Sequence, residues 1–260
     1  MAFTPNELIT GQAGDGSFRD RRARLSAKGN EAARKLIYGE KGPNNILNPL
    51  WETGGLLWPY TPIINDIISV QYDSYDPIHT NQPFLAFKSV GAKEIMCSGQ
   101  FTAMNQQEAV YCLAAIHFLR TITKMFFGIG GTDKDAIAAR GTPPPILLFN
   151  AHGTGMFHNV PVVVTSYSIE FPQDVDYVEL EKNPNRGANR DIANIIDEFV
   201  DPQEEENVNF RNKEGITAWL PTRFNITVNM TVQNTPNRLR RNFNLNDFRT
   251  GKLIKKGGWI

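Results

Sequence analysis

Apolar and polar residues alternate along several stretches of the chain, and this period of two predicts β-strands. Strands are expected at 63–75, from 84 to about 87, and at 95–103, 146–150 and 160–171. The cleanest alternation occupies residues 224–233. Its apolar positions are Phe224, Ile226, Val228, Met230 and Val232, and its uncharged polar positions are Asn225, Thr227, Asn229, Thr231 and Gln233. We expect one face of this strand to lie on a core and the other to meet water.

Only one long stretch has the 3.6-residue period of a helix, and it predicts a helix from Gln106 to Phe126. Asn105 is placed to cap its first turn, and Glu108 to reach back toward the cap. Its apolar stripe is wide, so a sheet is expected to cover most of the helix. The predicted fold class is therefore mainly β with one long helix, an α+β arrangement.

Two segments differ in composition from the rest of the chain. Residues 1–50 are rich in glycine and basic residues, show no core of their own, and are interpreted as an N-terminal basic arm. Such an arm is either a solvated tail or a segment that orders on a partner. Charged residues concentrate again at about 179–216, which predicts a surface insertion within a domain over 51–260.

Charge and cysteine content exclude several broad classes. The 260 residues include 27 Lys and Arg and 27 Asp and Glu, so the chain has no overall attraction for nucleic acid or an anionic membrane. Its two cysteines are too few for a disulfide framework and are expected to be reduced core thiols. The first residues do not resemble a signal peptide, and no apolar run reaches membrane-spanning length. We expect a protein made in the cytoplasm that enters no membrane.

No residue pattern in the sequence predicts catalysis or metal binding. The four histidines have none of the usual metal-ligand spacings, and the glycines at 128–131 follow a helix, whereas a phosphate loop follows a strand. Asp174 and Asp176 are spaced as turn-forming residues, although paired carboxylates can act as acid and base. We expect no enzyme activity, no catalytic residues, no metal and no cofactor.

Several motifs, taken in order, resemble the tail-tube and baseplate-tube proteins of contractile-tailed, T4-like bacteriophages. The resemblance covers residues 51 to 260. Its motifs are Trp58–Pro62 before the first strand, Gly99–Ala103 before the helix, Tyr111, His117–Arg120 and Lys124–Gly128 in the helix and at its end, and then Gly141–Pro145, Gly153–Val162 and Pro172–Tyr177. The basic arm and the charged insertion are more typical of a tube initiator than of a minimal tube subunit.

This resemblance implies a β-sandwich or barrel subunit that closes with five other copies into a hexameric ring. The ring would lie in the virion tail, where baseplate and tail tube join, and would initiate or extend the inner tube. Expected partners are the adjacent hub and tube proteins, with sheath and wedge proteins as further candidates. DNA would pass through the channel without specific binding, and assembly would take place in the host cytoplasm.

The resemblance also assigns roles to two residue sets. The uncharged positions of the cleanest strand would line the channel: Asn225, Thr227, Asn229, Thr231 and Gln233. Basic residues near both termini are candidates for contacts between subunits or neighbouring rings: Arg19, Arg21, Arg22, Arg24, Arg238, Arg240 and Arg241.

Two other classes remain open at this point. The chain could be a monomeric β-rich binding module that uses the hairpin at 152–159 and the basic, aromatic C-terminus for a protein or nucleic-acid ligand. An enzyme using Asp174, Asp176 and a histidine is the third class. Ring formation would separate the tube subunit from both.

Overall fold

A computed structural model describes residues 22–29, 31–42, 45–125, 141–180 and 218–260. The mainly β class is confirmed, since strands make up 39% and helices 25% of the structure. The strands are β1 (Arg24–Ala27), β2 (Leu56–Leu57), β3 (Ile63–Ile67), β4 (Val70–Tyr75), β5 (Phe84–Val90), β6 (Glu94–Thr102), β7 (Leu147–Ala151), β8 (Phe157–Glu170), β9 (Tyr177–Leu180), β10 (Ala218–Pro221) and β11 (Arg223–Val232). The helices are α1 (Glu31–Tyr38), α2 (Asn48–Thr53), α3 (Gln106–Ile122), α4 (Pro236–Asn242), α5 (Leu245–Arg249) and α6 (Lys252–Lys256).

Seven strands form the main sheet in the order β2-β1-β7-β8-β11-β6-β3, and every neighbouring pair is antiparallel. The strand with the cleanest alternation, β11, lies between β8 and β6. Val228 stands opposite Cys97 on one side and Tyr167 on the other. Phe224, Ile226, Val228 and Met230 are all buried. The apolar face of β11 therefore lies at the centre of the core.

The longest helix, α3, begins as the sequence predicts. The Asn105 side-chain oxygen accepts from the Glu108 backbone N–H at 2.9 Å, and the Glu108 carboxylate accepts from the Met104 N–H at 2.8 Å. This reciprocal pair satisfies two N–H groups near the helix start. The helix ends at Ile122, four residues before the predicted Phe126.

A buried tyrosine ties α3 to the edge of the sheet. The Tyr111 hydroxyl accepts from the Leu57 N–H at 2.8 Å and donates to the Leu57 carbonyl at 2.7 Å. Burial raises the pKa of this phenol well above its usual range. The neutral hydroxyl thus satisfies both backbone groups of a residue in the two-residue strand β2.

The expectation of one long helix is wrong, because the described residues contain six helices. The five others are five to eight residues long, too short to show a 3.6-residue period above local variation. Helix α4 had a detectable start signal. Thr235 accepts from the Arg238 N–H at 3.3 Å, and Pro236 follows it directly.

The described part of the predicted N-terminal arm lies inside the fold. Strand β1 pairs with both β2 and β7, and Leu25 and Tyr38 are buried. The Tyr38 hydroxyl accepts from the Ala27 N–H at 2.8 Å, and burial raises its pKa to about 12. The described residues between 22 and 50 are therefore part of the folded body and not a separate arm, because their apolar side chains pack in the same core as strands distant in sequence. Residues 1–21, and 181–217 of the predicted insertion, lie outside the described ranges.

The single strand predicted at 63–75 is in fact two strands. Strand β3 pairs with β6 in the main sheet, and β4 pairs with β5 in a separate ribbon. At the junction, the Gly91 N–H donates to the Ser69 carbonyl at 2.8 Å. We call the ribbon of residues 70–90 the arm; it is a different segment from the predicted N-terminal basic arm. All residues of its two strands are exposed, so it projects from the rest of the described structure.

Candidate functional site

Four strands of the main sheet present an uncharged polar surface on the side opposite α3. Across this surface, Thr227 of β11 stands opposite Ser98 of β6 and Ser168 of β8. Asn229, two residues along, stands opposite Met96 and Ser166. We call this surface the uncharged face. Its polar members, with Met96, are Asn65, Met96, Ser98, Gln100, Asn225, Thr227, Asn229, Thr231, Ser166 and Ser168. The same side also carries three apolar residues, the exposed Ile63 and Ile67 of β3 and the half-buried Val163 of β8.

Side chains of the uncharged face bond to one another across strands. The Ser98 and Thr227 hydroxyls are 2.8 Å apart, and the Asn229 amide donates to the Ser166 hydroxyl at 2.9 Å. These cross-strand bonds hold the polar groups in place without any charge. Charged side chains occur only at the margins of the face: Glu94, Glu170 and Arg223.

The predicted alternation of β11 is confirmed. Asn225, Thr227, Asn229 and Thr231 lie on the uncharged face, half-buried or exposed, while the apolar residues between them are buried. Gln233 follows the last residue of β11 and is exposed, and its backbone N–H donates to the Pro161 carbonyl at 2.9 Å.

The contribution of β8 to this face was not predicted. Along β8, Val162 and Val164 are buried, but beyond Thr165 the residues turned toward the core are Tyr167 and Ile169. The register between β8 and β11 shifts at this point, which is the mark of a β-bulge. The bulge turns the two serines of β8 onto the uncharged face. The sequence does contain a signal for this bulge, because the core residues stand at even positions before Thr165 (Val162 and Val164) and at odd positions after it (Tyr167 and Ile169).

Within the described residues, the four-strand section β8-β11-β6-β3 has two edges without a paired strand. Strand β3 pairs only with β6. On the far side of β8, β7 pairs no further than Val162, which leaves residues 163–170 open. Both edges belong to the same section that carries the uncharged face.

Backbone groups at the β3 edge can be assigned from the ladder. The Val232 N–H donates to the Lys93 carbonyl at 2.9 Å. The backbone N–H and C=O groups of odd-numbered β6 residues therefore point to β11, and those of even-numbered residues such as Met96 point to β3. Asn65 pairs with Met96 and therefore directs its backbone groups into the sheet. Its neighbour Asp66 directs its N–H and C=O outward to the open edge.

The same reasoning applies to the β8 edge. The Gln233 N–H donates to the Pro161 carbonyl, so the backbone N–H and C=O groups of odd-numbered β11 residues point to β8. Thr227 belongs to this series and pairs with Ser168, whose backbone groups therefore face inward. The backbone groups of Tyr167 point to the open side. Each edge thus offers unpaired donors and acceptors to another strand.

The predicted contact arginines divide into four groups. Arg22 and Arg24 are half-buried and interact within the chain, with Arg24 in strand β1. Arg238 stacks over the Trp259 ring at 5.0 Å and donates to the Gly257 carbonyl at 2.7 Å, so it holds the C-terminus in place. Arg240 and Arg241 are exposed. Arg19 and Arg21 lie outside the described residues.

The alternative binding segments do come together. The Gly258 N–H donates to the His158 carbonyl at 2.6 Å, which joins the C-terminus to the 152–159 hairpin. Trp259, however, is buried beneath Arg238 and packs against Phe243 at 5.6 Å between ring centroids. Its ring is not open to stack on a nucleic-acid base.

Two of the histidines open to the third, enzymatic alternative lie far along β8 from its aspartates. Asp174 and Asp176 are exposed beyond its C-terminal end, whereas His152 and His158 are near its N-terminal end. No group of three or more potential metal ligands occurs in the part of the chain that the structure describes. The described residues therefore do not bring a carboxylate pair and these histidines into one site.

Two core thiols give a direct test of the packing beneath the sheet. Cys97 and Cys112 are both buried, and burial raises the pKa of each thiol well above its usual range, with the Glu108 carboxylate adding to the effect at Cys112. Since the thiolate is the reactive form, we expect neither thiol to react with Ellman's reagent at neutral pH in the folded protein. Both should react in denaturant. Rapid modification of either thiol in the native state would contradict this packing.

Neither a protein family nor a curated protein matches this sequence. Among the helices of the described ranges, none is long and apolar enough to cross a membrane.

Proposed function

We propose that this chain is a structural protein of a contractile phage tail. It forms a ring where baseplate and tail tube join, initiates or extends the inner tube, and lines the DNA channel. The observation that carries the proposal is the four-strand section with two open edges and a face without central charges. An exposed sheet of this kind in a lone subunit would invite edge-to-edge association.

The strand directions are compatible with closure by symmetry. Strands β6 and β8 are each antiparallel to β11, and β3 is antiparallel to β6, so β3 runs antiparallel to β8. Copies related by rotation about an axis along the strands keep these directions. The β3 edge of one copy then meets the β8 edge of the next as an antiparallel pair.

Ring closure of this section would leave an open channel. Six copies with four strands each give about 24 strands, and barrels of about 16–18 strands already enclose water. Because α3 covers the other face of the sheet, the uncharged face would line the lumen. It lacks lysine, and its one arginine, Arg223, is at the margin. Without such cations there is little counterion release to hold DNA, so DNA can slide through.

Size exclusion with light scattering, followed by negative-stain imaging, tests the proposal. We expect six-fold rings with a central hole, either for the purified chain or after a baseplate hub is added as nucleus. If the chain stays monomeric at about 1 mM, both alone and with the hub, the dissociation constant of the ring contact is above that concentration and the proposal is contradicted.

A binding module remains the second candidate, because the structure joins the two segments assigned to it. Its ligand would have to contact exposed residues such as Arg240 and Arg241, since Trp259 is covered. Loss of ligand binding on replacing these two arginines by alanine, with no change in assembly, would favour this function.

A further inference from the structure

Strand β3 carries a charged residue on the side that it turns toward the core. Ile64 pairs with Cys97 and Asp66 with Ile95, and both of these β6 residues are buried. The Asp66 side chain therefore points to the core side of the sheet, as Ile64 does. Ile64 packs against the core. Two residues further along the same open edge, the chain has a carboxylate in place of an apolar side chain.

Lys93 holds this carboxylate in place. Lys93 directly precedes β6 and continues the core-side series of Ile95, and its ammonium nitrogen is 2.9 Å from a carboxylate oxygen of Asp66. The Lys93 side chain is only 18% exposed, whereas that of Asp66 is 36% exposed. The carboxylate thus has a fixed partner inside the fold and one side that still meets water.

The ion pair lies at an edge that is open to another strand. The backbone N–H and C=O groups of Asp66 point away from the sheet, as the ladder requires. A strand that pairs with this edge lies about 5 Å from β3 and therefore covers the exposed side of the carboxylate. Pairing at this edge removes water from the ion pair.

The open edge of β8 in a second copy brings apolar groups to the ion pair. Beyond the bulge, Tyr167 and Ile169 direct their backbone groups to the open edge and their side chains to the core side. Asp66 has the same two orientations, so antiparallel pairing of the two edges sets it opposite a residue of this series. The carboxylate then lies beside a large, mainly apolar side chain. The attraction between the two charges exists already in the free subunit and does not offset this loss of hydration.

Two copies of the β3 edge also meet unfavourably. In the antiparallel register that pairs all five residues of β3, Asp66 of one copy stands opposite Ile64 of the other, with both side chains on the core side. The two carboxylates are then diagonal neighbours, about 7 Å apart. Such a dimer brings two acids together and takes two ion pairs out of water.

We propose that the Asp66–Lys93 ion pair is a gatekeeper, which keeps the β3 edge of a free subunit from pairing before assembly begins. Inward-pointing charges are one means by which edge strands avoid unwanted pairing. The carboxylate takes no part in the backbone bonds of the edge, so it raises the free energy of pairing and leaves the donors and acceptors in place. This inference rests on the lateral contact proposed above and adds a control over when that contact forms.

Replacing both charges by apolar side chains tests the gatekeeper. The variant D66V/K93M loses the two charges together, so no unpaired charge is left in the sheet. We expect sedimentation velocity to show association of this variant at a concentration about tenfold or more below that of the wild type. Circular dichroism checks that the variant folds.

Two control variants separate the ion pair from general effects. D66E keeps the carboxylate and should associate like the wild type. K35M/E40V introduces the same two apolar residues at another ion pair, whose Lys35 lies in α1, a helix that packs on β1, α2 and α3. Both of its side chains are exposed, and this variant should also associate like the wild type. Association of K35M/E40V as strong as that of D66V/K93M would reduce the effect to added apolar surface and overturn the gatekeeper.

Negative-stain images distinguish failure of the gatekeeper from failure of the ring proposal. Six-fold rings of D66V/K93M at a concentration where the wild type is monomeric support both. Larger species of the variant that never show six-fold rings, with or without the hub, support the gatekeeper and contradict the ring. If the wild type and the variant behave alike, the gatekeeper is overturned, and rings from both leave the ring proposal standing. Weaker association of D66V/K93M than of the wild type would show that the carboxylate stabilises the contact, and would also overturn the gatekeeper.

Discussion

Replacing Val228 by Asp is expected to abolish soluble folding. Val228 is buried at the centre of β11, opposite Cys97 and Tyr167, and no cation is available there to pair with a carboxylate. A buried unpaired charge together with lost packing costs about 4–5 kcal/mol or more, a large part of the total stability of a typical domain. Ile226→Asp should behave in the same way. Soluble yield, circular dichroism and denaturant unfolding measure the effect.

The matched control is Asn229→Asp, one residue along the same strand. Asn229 faces away from the core, and the Ser166 hydroxyl can donate to the new carboxylate in place of the amide bond. The change should alter stability by about 1 kcal/mol or less and only add negative charge to the proposed channel. Equal loss of folding in both variants would show that the two faces of β11 are not distinct, and would remove the basis of the channel assignment.

The second large effect is expected on assembly, from Asp66→Pro at the open edge of β3. The Asp66 N–H points away from the sheet, so proline removes no backbone hydrogen bond within the chain but denies a donor to a neighbouring strand. The preceding Asn65 is already in a strand, as a residue before proline prefers to be. We expect a folded subunit that no longer forms rings, measured by light scattering and imaging.

Asp66→Ala separates the backbone effect from the side chain. Both substitutions remove the 2.9 Å ion pair with Lys93, which is worth about 1 kcal/mol or less at a partly exposed site. Only proline removes the N–H. Ring formation by Asp66→Ala but not by Asp66→Pro would support edge pairing. Rings from both variants would place the lateral contact elsewhere on the subunit.

The local sequence was sufficient to predict features whose pattern lies within a single helix, strand or hairpin. The cap of α3 follows from Asn105 and Glu108, whose side chains reach backbone groups one turn away. The two faces of β11 follow from its alternation, because successive side chains of a strand point to opposite sides. The hairpin from β7 to β8 also formed as predicted, with Ala151 opposite Phe157.

Prediction failed where an element depends on distant partners. Strand β1 has only four residues, and it lies between β2 and β7. Of these two partners, β7 is more than 100 residues away along the chain. The stacking of Arg238 over Trp259, 21 residues further along the chain, was likewise not predicted, whereas its proposed external contact stays a prediction. Neither pairing leaves a periodic signal that a local reading can detect.

The sequence by itself determined that the protein is mainly β, that α3 lies on a sheet, and that β11 has an apolar and an uncharged side. These properties follow from side-chain type and spacing, which act over a few residues. Tertiary structure decided that β6, β8 and β3 extend the uncharged face of β11 and that two edges stay open. It also brought the arm and the C-terminal helices to one end of the sheet. Strand register and chain path set these arrangements, and both depend on contacts between residues far apart in the chain.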